Sequence, residues 1–393
     1  MVINVKQAII VIGAISVSLI LFVNLGEVVA LVKGTLHSQT QNVTPVYVKV
    51  LKDILFLISI SISLIWLVLS CRVISPIKVL LSAWLFFVFA ALIASYELPW
   101  ICLLLGLRWV MPIILLVLLI DLVDREAMVT ISNFLKYVFF VHFTFQLVQL
   151  VFGGTWYGSF LGGYSLRNPG LFLIPSSGAL FSCLCFLFLN YFAKVRFSVL
   201  APITILSVLM TVSLTGIALG FLFVSYVYFR RFFSSRVIML FACIACAGLI
   251  LSVDQFAHLL GRGDDVIAVS GGARADIFLD TWGRVGLVSR FFGLATNSAV
   301  LYFNGNYNAF IADSMYVSVL ANLGLLGFLF YVFLLSFFFV WSIFISHDFS
   351  ILLSLFIVLS SLTSVITELY PINFIVPFAV AFVLRPGLGL NVR

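Results

Sequence analysis

Charged residues are scarce in this chain of 393 residues: Asp, Glu, Lys and Arg together make up 9% of it, and only 14 residues are acidic. Because soluble domains carry roughly 25% charged residues, this composition excludes an ordinary soluble globule. Cysteine is also scarce, and all six cysteines lie in or at the ends of apolar segments, which argues against a disulfide framework. Internal repeats, low-complexity tracts and a recognisable soluble domain are lacking as well.

Apolar residues dominate instead, since 64% of the chain is hydrophobic and the mean hydropathy is +1.27. Apolar runs of about 20 residues recur, each long enough to cross a bilayer as a helix. We therefore predict an all-α, polytopic membrane protein of about 12 transmembrane helices, with residues 1–393 forming a single integral membrane domain. The predicted helices span residues 7–24, 53–70, 79–95, 100–120, 134–151, 175–193, 237–253, 315–345, 350–367 and 372–384, with two short helices within 198–229. The helix 315–345 is expected to bend at Gly324 and Gly327.

Basic residues in the short loops predict the orientation of these helices, because cytoplasmic loops are enriched in Lys and Arg. The first apolar run has one lysine before it and no small-x-small cleavage site after it, so we interpret it as a retained helix. With both termini in the cytoplasm, the two long loops, 152–174 and 254–313, face the opposite side. The same bias explains most of the net charge of +7, so we assign no nucleic-acid partner.

The second long loop holds an unusual share of the charge. Within it, Gly271 and Gly272 precede a predicted helix, 273–284, whose first turn contains Arg274. Free N–H groups at such a helix start can hold an anion, and arginine binds phosphate bidentately. Arg284 has an alternative as an ion-pair partner of Asp280 at four-residue spacing.

Further candidates lie elsewhere in the loops and in one helix. Asp313 stands where the second loop re-enters the membrane. It can act as a base, as the cap of the following helix, or as both. An arginine inside a helix, such as Arg108, tends to face a cavity or a partner. As catalytic residues we predict Asp313 and Arg274; as substrate-binding residues we predict Arg167, Arg284, Arg290, Arg108 and Tyr316. We expect no metal ion and no cofactor, because the acidic pair Asp264–Asp265 is a weak metal signal.

Four segments together resemble the O-antigen polymerase and O-antigen ligase superfamily of bacterial envelope glycosyltransferases. They are RNPGLFLIP (167–175), SLTG (213–216), GGAR (271–274) and DSMYVSVLANLGLLG (313–327). Arg167 and Gly178 fit the Arg-x10-Gly motif of the polymerases, whereas Arg274 would need glycine at position 285, where valine stands. The ligase motif begins with histidine at the position of Asp313, so the polymerase branch is favoured.

The resemblance implies a GT-C-like membrane fold with a long helical extracytoplasmic loop, in the inner membrane of a bacterium. It implies polymerisation of glycan repeat units, carried on polyprenyl pyrophosphate such as undecaprenyl pyrophosphate, into O-antigen or a related surface polysaccharide. Its implied partners are the lipid-linked glycan donor and acceptor, the bilayer, a chain-length regulator and a flippase. The alternatives are a ligase that moves the glycan to the lipid A core of lipopolysaccharide and, in another class, a lipid-linked oligosaccharide flippase or transporter.

Overall fold

The structure, a computed structural model, describes most of the apolar segments and few of the loops. Described are residues 5–23, 26, 44–70, 76–94, 100–152, 168–172, 174–230, 232–234, 237, 272–285, 298–303, 306–311, 314–345 and 347–385. These residues are predominantly helical, in agreement with the predicted all-α class. The predicted helix 237–253 and most of the two long loops lie outside the described residues.

The helices follow the apolar runs closely. They are α1 (Val5–Ser18), α2 (Ile20–Val23), α3 (Val46–Ser70), α4 (Pro76–Ala94), α5 (Trp100–Leu119), α6 (Arg125–Phe152), α7 (Pro175–Tyr191), α8 (Phe197–Thr211), α9 (Leu214–Phe229), α10 (Gly272–Arg284), α11 (Met315–Ile345), α12 (Asp348–Ser361) and α13 (Ile372–Leu384). A short 3-10 helix, Ile366–Glu368, lies between α12 and α13. Two helices begin well before their predicted starts, α3 at Val46 and α6 at Arg125.

Four stretches of helix have the length and hydropathy needed to cross a bilayer, as expected of an integral membrane protein. They are Lys6–Val23, Val50–Val68, Arg125–Val151 and Met315–Ile345. Shorter apolar helices of 10–17 residues accompany them. Such helices suit a membrane protein in which long helices shelter short ones.

Two predicted helix breaks are confirmed. Val212 takes a left-handed conformation (φ 52°), so α8 ends there and α9 begins behind the cap residue Ser213. α11 is interrupted at Gly324 (φ 73°, ψ −173°), while Gly327 stays helical. Glycine suits the second break because a side chain is strained at positive φ.

A β-hairpin adds to the helical loop predicted for 254–313. β1 (Ser298–Phe303) pairs antiparallel with β2 (Asn306–Ile311), with Phe303 opposite Asn306. The two residues between the strands are Asn304 and Gly305, the strongest short hairpin signal in a sequence. This hairpin was not among the predicted elements, which in this loop were based on the charged residues and the helix at 273–284.

The helices form two compact units. Unit 1 comprises Met1–Gly13, Asp53–Ala127 and Ser270–Arg393, and unit 2 comprises Ala14–Lys52 and Met128–Val269. In unit 1, α11 packs on α4, α10 and α12, and α13 packs on α5. In unit 2, α7 is buried along almost its whole length against α8 and α9.

Candidate functional site

The structure describes the predicted site residues unequally. Outside the described residues lie Arg167, Arg290 and Asp313. The helical backbone is described, but not the side chain, for Arg108, Arg274 and Arg284. Tyr316 alone among the seven has a described side chain.

In unit 2, the turn that follows Arg167 is held by side chains of α6. Gln149 forms two hydrogen bonds with the backbone of Gly170: its Nε2 donates to the carbonyl oxygen (3.0 Å), and its Oε1 accepts from the N–H (2.8 Å). Gln146 Nε2 donates to the carbonyl oxygen of Asn168 (3.1 Å). The side-chain amides thus make the hydrogen bonds that a neighbouring backbone strand would otherwise make, and they fix the turn at Asn168–Gly170.

A second layer of hydrogen bonds ties the same turn to α8 and α7. Gln146 also donates to the carbonyl oxygen of Ser207 (3.1 Å) and accepts from its hydroxyl (2.6 Å). That hydroxyl lies 2.7 Å from the Ser182 hydroxyl of α7. The N–H of Asn168 donates to the carbonyl oxygen of Met210 (2.7 Å). We call Gln146, Gln149, His142 and Ser207 the amide bracket; all four are buried.

His142 completes the amide bracket from the other side of the turn. Its Nδ1 accepts a hydrogen bond from the N–H of Leu171 (3.3 Å), so in the neutral imidazole the proton sits on Nε2. Phe172 and Phe181 meet the ring edge to face, with centroids 5.4 and 5.5 Å away. Nε2 has no hydrogen-bond partner among the described residues.

Glycines let the turn approach α6 and α7 this closely. Gly170 has φ +66°, and a Cβ there would lie 2.4 Å from Nδ1 of His142. A Cβ on Gly178, in the first turns of α7, would lie 2.7 Å from the carbonyl oxygen of Pro169. The spacing between Arg167 and Gly178 therefore has a physical reason: the turn after the arginine packs directly on the glycine.

The segment 213–216 contacts α7 at Ala179, the residue after Gly178. Ser213 caps α9, its hydroxyl accepting from the N–H of Gly216 (3.4 Å). A Cβ on Gly216 would lie 2.1 Å from the Cβ of Ala179. The turn 168–172 and the more distant segment 213–216 thus meet at residues 178–179, near the start of α7.

In unit 1, α10 rests on α11 through an apolar face. Phe278 and Trp282 lie 5.9 and 6.1 Å, between ring centroids, from Phe328 of α11, and Thr281 is buried. Arg274 shares this face by position, since Ile277, Phe278 and Thr281 follow it at helical spacings of three, four and seven. Asp276 and Asp280 occupy the exposed side of α10.

The first turn of α11, directly after Asp313, is fixed by bonds to α12. The hydroxyl of Ser314 donates to the carbonyl oxygen of Ser361 (3.0 Å), and that of Tyr316 donates to the carbonyl oxygen of Val358 (3.5 Å). Tyr316 also contacts Tyr331 and Phe328, with ring centroids 5.9 and 6.5 Å away. The chain is therefore anchored immediately after the proposed base.

Charged side chains collect at one end of unit 1. Lys78, at the start of α4, pairs with Asp121, just beyond α5. Lys6 of α1 pairs with Asp124 (2.5 Å) and Glu126 (2.9 Å). We call these two groups of side chains the charged end. Their ion pairs join the ends of neighbouring helices.

The pKa of Asp124 at the charged end is perturbed, and so is the pKa of His347, which directly precedes α12. Partial burial raises the pKa of the Asp124 carboxyl, but hydrogen bonds from Lys6 and from the N–H of Ala127 outweigh burial, so its pKa lies below the ordinary value. Burial lowers the pKa of His347, with Arg125 adding to this and Asp348 opposing it. Arg385, just beyond α13, donates to the carbonyl oxygen of Val123 (2.9 Å).

The charge pattern pointed to Arg167, Arg274 and Asp313 but not to the amide bracket. Glutamine, serine and histidine in an apolar helix carry no net charge at neutral pH, so a search for charge passes over them. The available signal is their spacing: His142, Gln146 and Gln149 follow one another at four and three residues, on one face of α6. No group of three or more His, Cys, Asp or Glu side chains suited to a metal ion occurs among the described residues.

Comparison of the chain with family models, with characterised proteins and with solved structures gives no match.

Proposed function

We propose that this chain is a glycan polymerase that joins repeat units carried on polyprenyl pyrophosphate, at the extracytoplasmic face of a bacterial inner membrane. A hydroxyl of the acceptor sugar attacks C1 of the donor glycan, the new C–O bond forms, and the bond from C1 to the pyrophosphate oxygen breaks. Arg167 and Arg274, assisted by Arg284, Arg290 and Arg108, stabilise the departing pyrophosphate. Asp313 accepts the hydroxyl proton.

One observation carries the proposal: the segments 168–172, 178–179 and 213–216 meet around the start of α7. A loop that is only solvated needs no such support, whereas a loop that positions a binding residue gains precision from a rigid base. Buried amides hold Asn168 and Gly170, so the residue directly before them is attached to a fixed point. Arginine at that point suits a pyrophosphate, which needs a fixed cation to bind it bidentately.

The arrangement in unit 1 supports the second half of the proposal. Position 274 lies on the α10 face that packs on α11, and Asp313 directly precedes the anchored start of α11. The break at Gly324 leaves the first turns of α11 as a short separate helix. The proposed cation and the proposed base are thus attached to two helices that pack on each other.

The charged end supports the predicted orientation. Its ion pairs join the start of α1 to the start of α6, and the start of α4 to the end of α5. Arg385, just beyond α13, bonds to Val123 between α5 and α6, so these contacts follow the pattern that the predicted alternation of helices requires. These are the helix ends that the basic-residue bias assigns to the cytoplasm. Asp313 then lies at the opposite, extracytoplasmic end of α11, where a lipid-linked sugar would be presented.

The test is polymerisation in vitro with purified protein and a lipid-linked repeat unit. We expect a ladder of products, and we expect Arg167→Ala, Arg274→Ala and Asp313→Asn to abolish it. Arg196→Ala, on an exposed arginine at the predicted cytoplasmic side, should leave the ladder intact. Full activity in the presence of a chelator is expected, and strict Mg²⁺ dependence would contradict the absence of a metal.

Deletion of the gene separates the polymerase from the ligase. Loss of a polymerase leaves single repeat units on the lipid A core, whereas loss of a ligase leaves a bare core. The helix breaks at Val212 and Gly324 favour a second candidate, a transporter of lipid-linked glycan, because interrupted helices mark transporter binding sites. Flipping in proteoliposomes without glycosidic bond formation would decide for it.

A further inference from the structure

One exposed side of α10 is apolar and takes no part in the proposed function. Leu279 is 65% exposed and Trp282 is 46% exposed. Ala275, Leu279 and Trp282 follow one another at spacings of four and three residues, so they lie on one side of the helix. We call these three residues the exposed apolar strip. It lies between the face that packs on α11 and the face that carries Asp276 and Asp280.

The packing of α10 turns the exposed apolar strip away from the interior of unit 1. Ile277, Phe278 and Val285 pack against the buried apolar cluster of this unit. Leu279 lies two residues from Ile277, which is a rotation of about 200° around the helix axis. The strip is therefore nearly opposite the side of α10 on which Ile277 meets the cluster, and its neighbour lies outside the unit.

The surface of α11 beside this strip identifies the neighbour as lipid. Trp282 contacts Phe328 of α11, and next to Phe328 the side chains of Leu326 and Leu329 are 47% and 52% exposed. These leucines belong to the stretch Met315–Ile345, which is long and apolar enough to cross a bilayer. Exposed leucines on such a helix face lipid. The exposed apolar strip of α10 therefore continues a surface of unit 1 that already faces lipid.

The depth of the contact with α11 matches that of an interfacial helix. The rings of Tyr316 and Tyr331 lie 5.9 Å apart, whereas in a straight helix these residues would lie about 22 Å apart along the axis. α11 therefore folds back at Gly324. From there to Ile345 the helix is about 31 Å long, close to the thickness of a hydrocarbon core. Phe328 lies about 6 Å from Gly324 along this axis, and interfacial helices bury their apolar face about 5–10 Å into the headgroup boundary.

We propose that the exposed apolar strip docks on the phospholipid bilayer, so that α10 lies in the interface with Leu279 and Trp282 among the lipids and Asp276 in water. Tryptophan suits this level because its ring is apolar and its indole N–H is polar. The docking is independent of the proposed glycan polymerase function. One consequence rests on that function: position 274, in the first turn of α10, lies near the depth at which a lipid-linked glycan carries its pyrophosphate.

Cysteine labelling of the full-length protein tests the docking. Leu279→Cys and Asp276→Cys are reconstituted in phosphatidylcholine liposomes, and a membrane-impermeant maleimide is supplied on both sides of the bilayer. The thiolate is the reactive form and apolar surroundings suppress it, so we expect Leu279→Cys to react at least about tenfold more slowly than Asp276→Cys. Labelling of the wild type, which has six cysteines of its own, is subtracted, and rates are normalised to those in SDS. Because both positions are exposed in the protein, equal labelling in liposomes would overturn the proposal.

Fluorescence quenching distinguishes lipid from a protein that covers the same strip, such as a second copy of this chain. The protein is reconstituted in phosphatidylcholine with brominated acyl chains, and Trp282 emission is taken as the difference between the wild type and Trp282→Phe. We expect bromines near the headgroup end of the chain to quench Trp282 more strongly than bromines near its terminal methyl group. Trp341, which is 37% exposed on α11, is the control, measured in the same way with Trp341→Phe. Quenching of Trp341 without quenching of Trp282 would assign the strip to a protein partner and overturn the proposal.

Discussion

Two regions of this protein use polar side chains in opposite ways. The amide bracket of unit 2 consists of buried neutral groups, three of which bond to the backbone of one turn. The charged end of unit 1 consists of ion pairs at helix ends, and Asp124 and Glu126 there keep 29% and 79% of their side-chain surface exposed. Neutral amides thus serve the deeply buried position, and most charges stay near the surface.

Desolvation explains the difference. A charge inside an apolar medium costs several kcal/mol unless it is fully paired, and mutual attraction does not always offset that cost. An amide in the same place loses less and can satisfy a backbone N–H and a carbonyl at once. We therefore expect changes at the amide bracket to act through geometry and lost hydrogen bonds, and changes at the charged end to act through pairing and pH.

The largest expected effect on stability is at Gly170, where the turn packs most closely against the amide bracket. Gly170→Ala places a Cβ against His142 at positive φ, which should lower the free energy of unfolding by about 2–5 kcal/mol through strain and overpacking. Gly283→Ala is the control, because a Cβ there meets nothing within 4 Å. The measurement is SDS-induced unfolding in mixed micelles. Equal effects of the two variants would show that the turn is not held against His142.

The buried ion pair of the charged end should come next. Lys78 and Asp121 keep only 4% and 14% of their side-chain surface exposed, so Lys78→Met alone should cost about 2–4 kcal/mol by leaving a buried carboxylate unpaired. The double variant Lys78→Met/Asp121→Leu should recover much of this loss. A double variant as unstable as the sum of the two single variants would show that the pair is not coupled.

The same contrast explains how much could be predicted from the sequence. The helices and both breaks follow from local signals: the apolar runs, Gly324, and the interruption of one run by Ser213, Thr215 and Gly216. The amide bracket joins α6 to a turn about 20 residues later and to Ser207 about 60 residues later. Such pairing is set by tertiary packing, which local spacing does not encode. The sequence indicated Arg167 by its charge but not the amides that fix the turn after it.

A smaller effect is expected when the hydrogen bonds of the amide bracket are removed one side chain at a time. Gln149→Leu leaves the N–H and carbonyl of Gly170 unbonded and should cost about 1–3 kcal/mol, since hydrogen bonds between membrane helices are individually modest. Thr144→Ala on the same helix, where the exposed hydroxyl bonds to the carbonyl oxygen of Phe140 within the helix, should be nearly neutral. A neutral Gln149→Leu would mean that the turn is held by packing alone.

The smallest effect should come from the partly exposed pair at the charged end, and pH reveals it. Lys6→Met should lower stability by about 0.2–1 kcal/mol at neutral pH, as is usual for exposed pairs. Because the pKa of Asp124 is lower in the folded protein than in the unfolded chain, its contribution is present above about pH 4 and is lost as the pH falls through the folded value. Asp124→Asn should remove this acid-dependent loss, measured as the unfolding free energy between about pH 5 and pH 2. Glu126→Gln, at the more exposed partner of Lys6, should leave the acid-dependent loss of stability in place. If Glu126→Gln removed that loss as fully as Asp124→Asn, the pairing would be assigned to Lys6 with Glu126 instead.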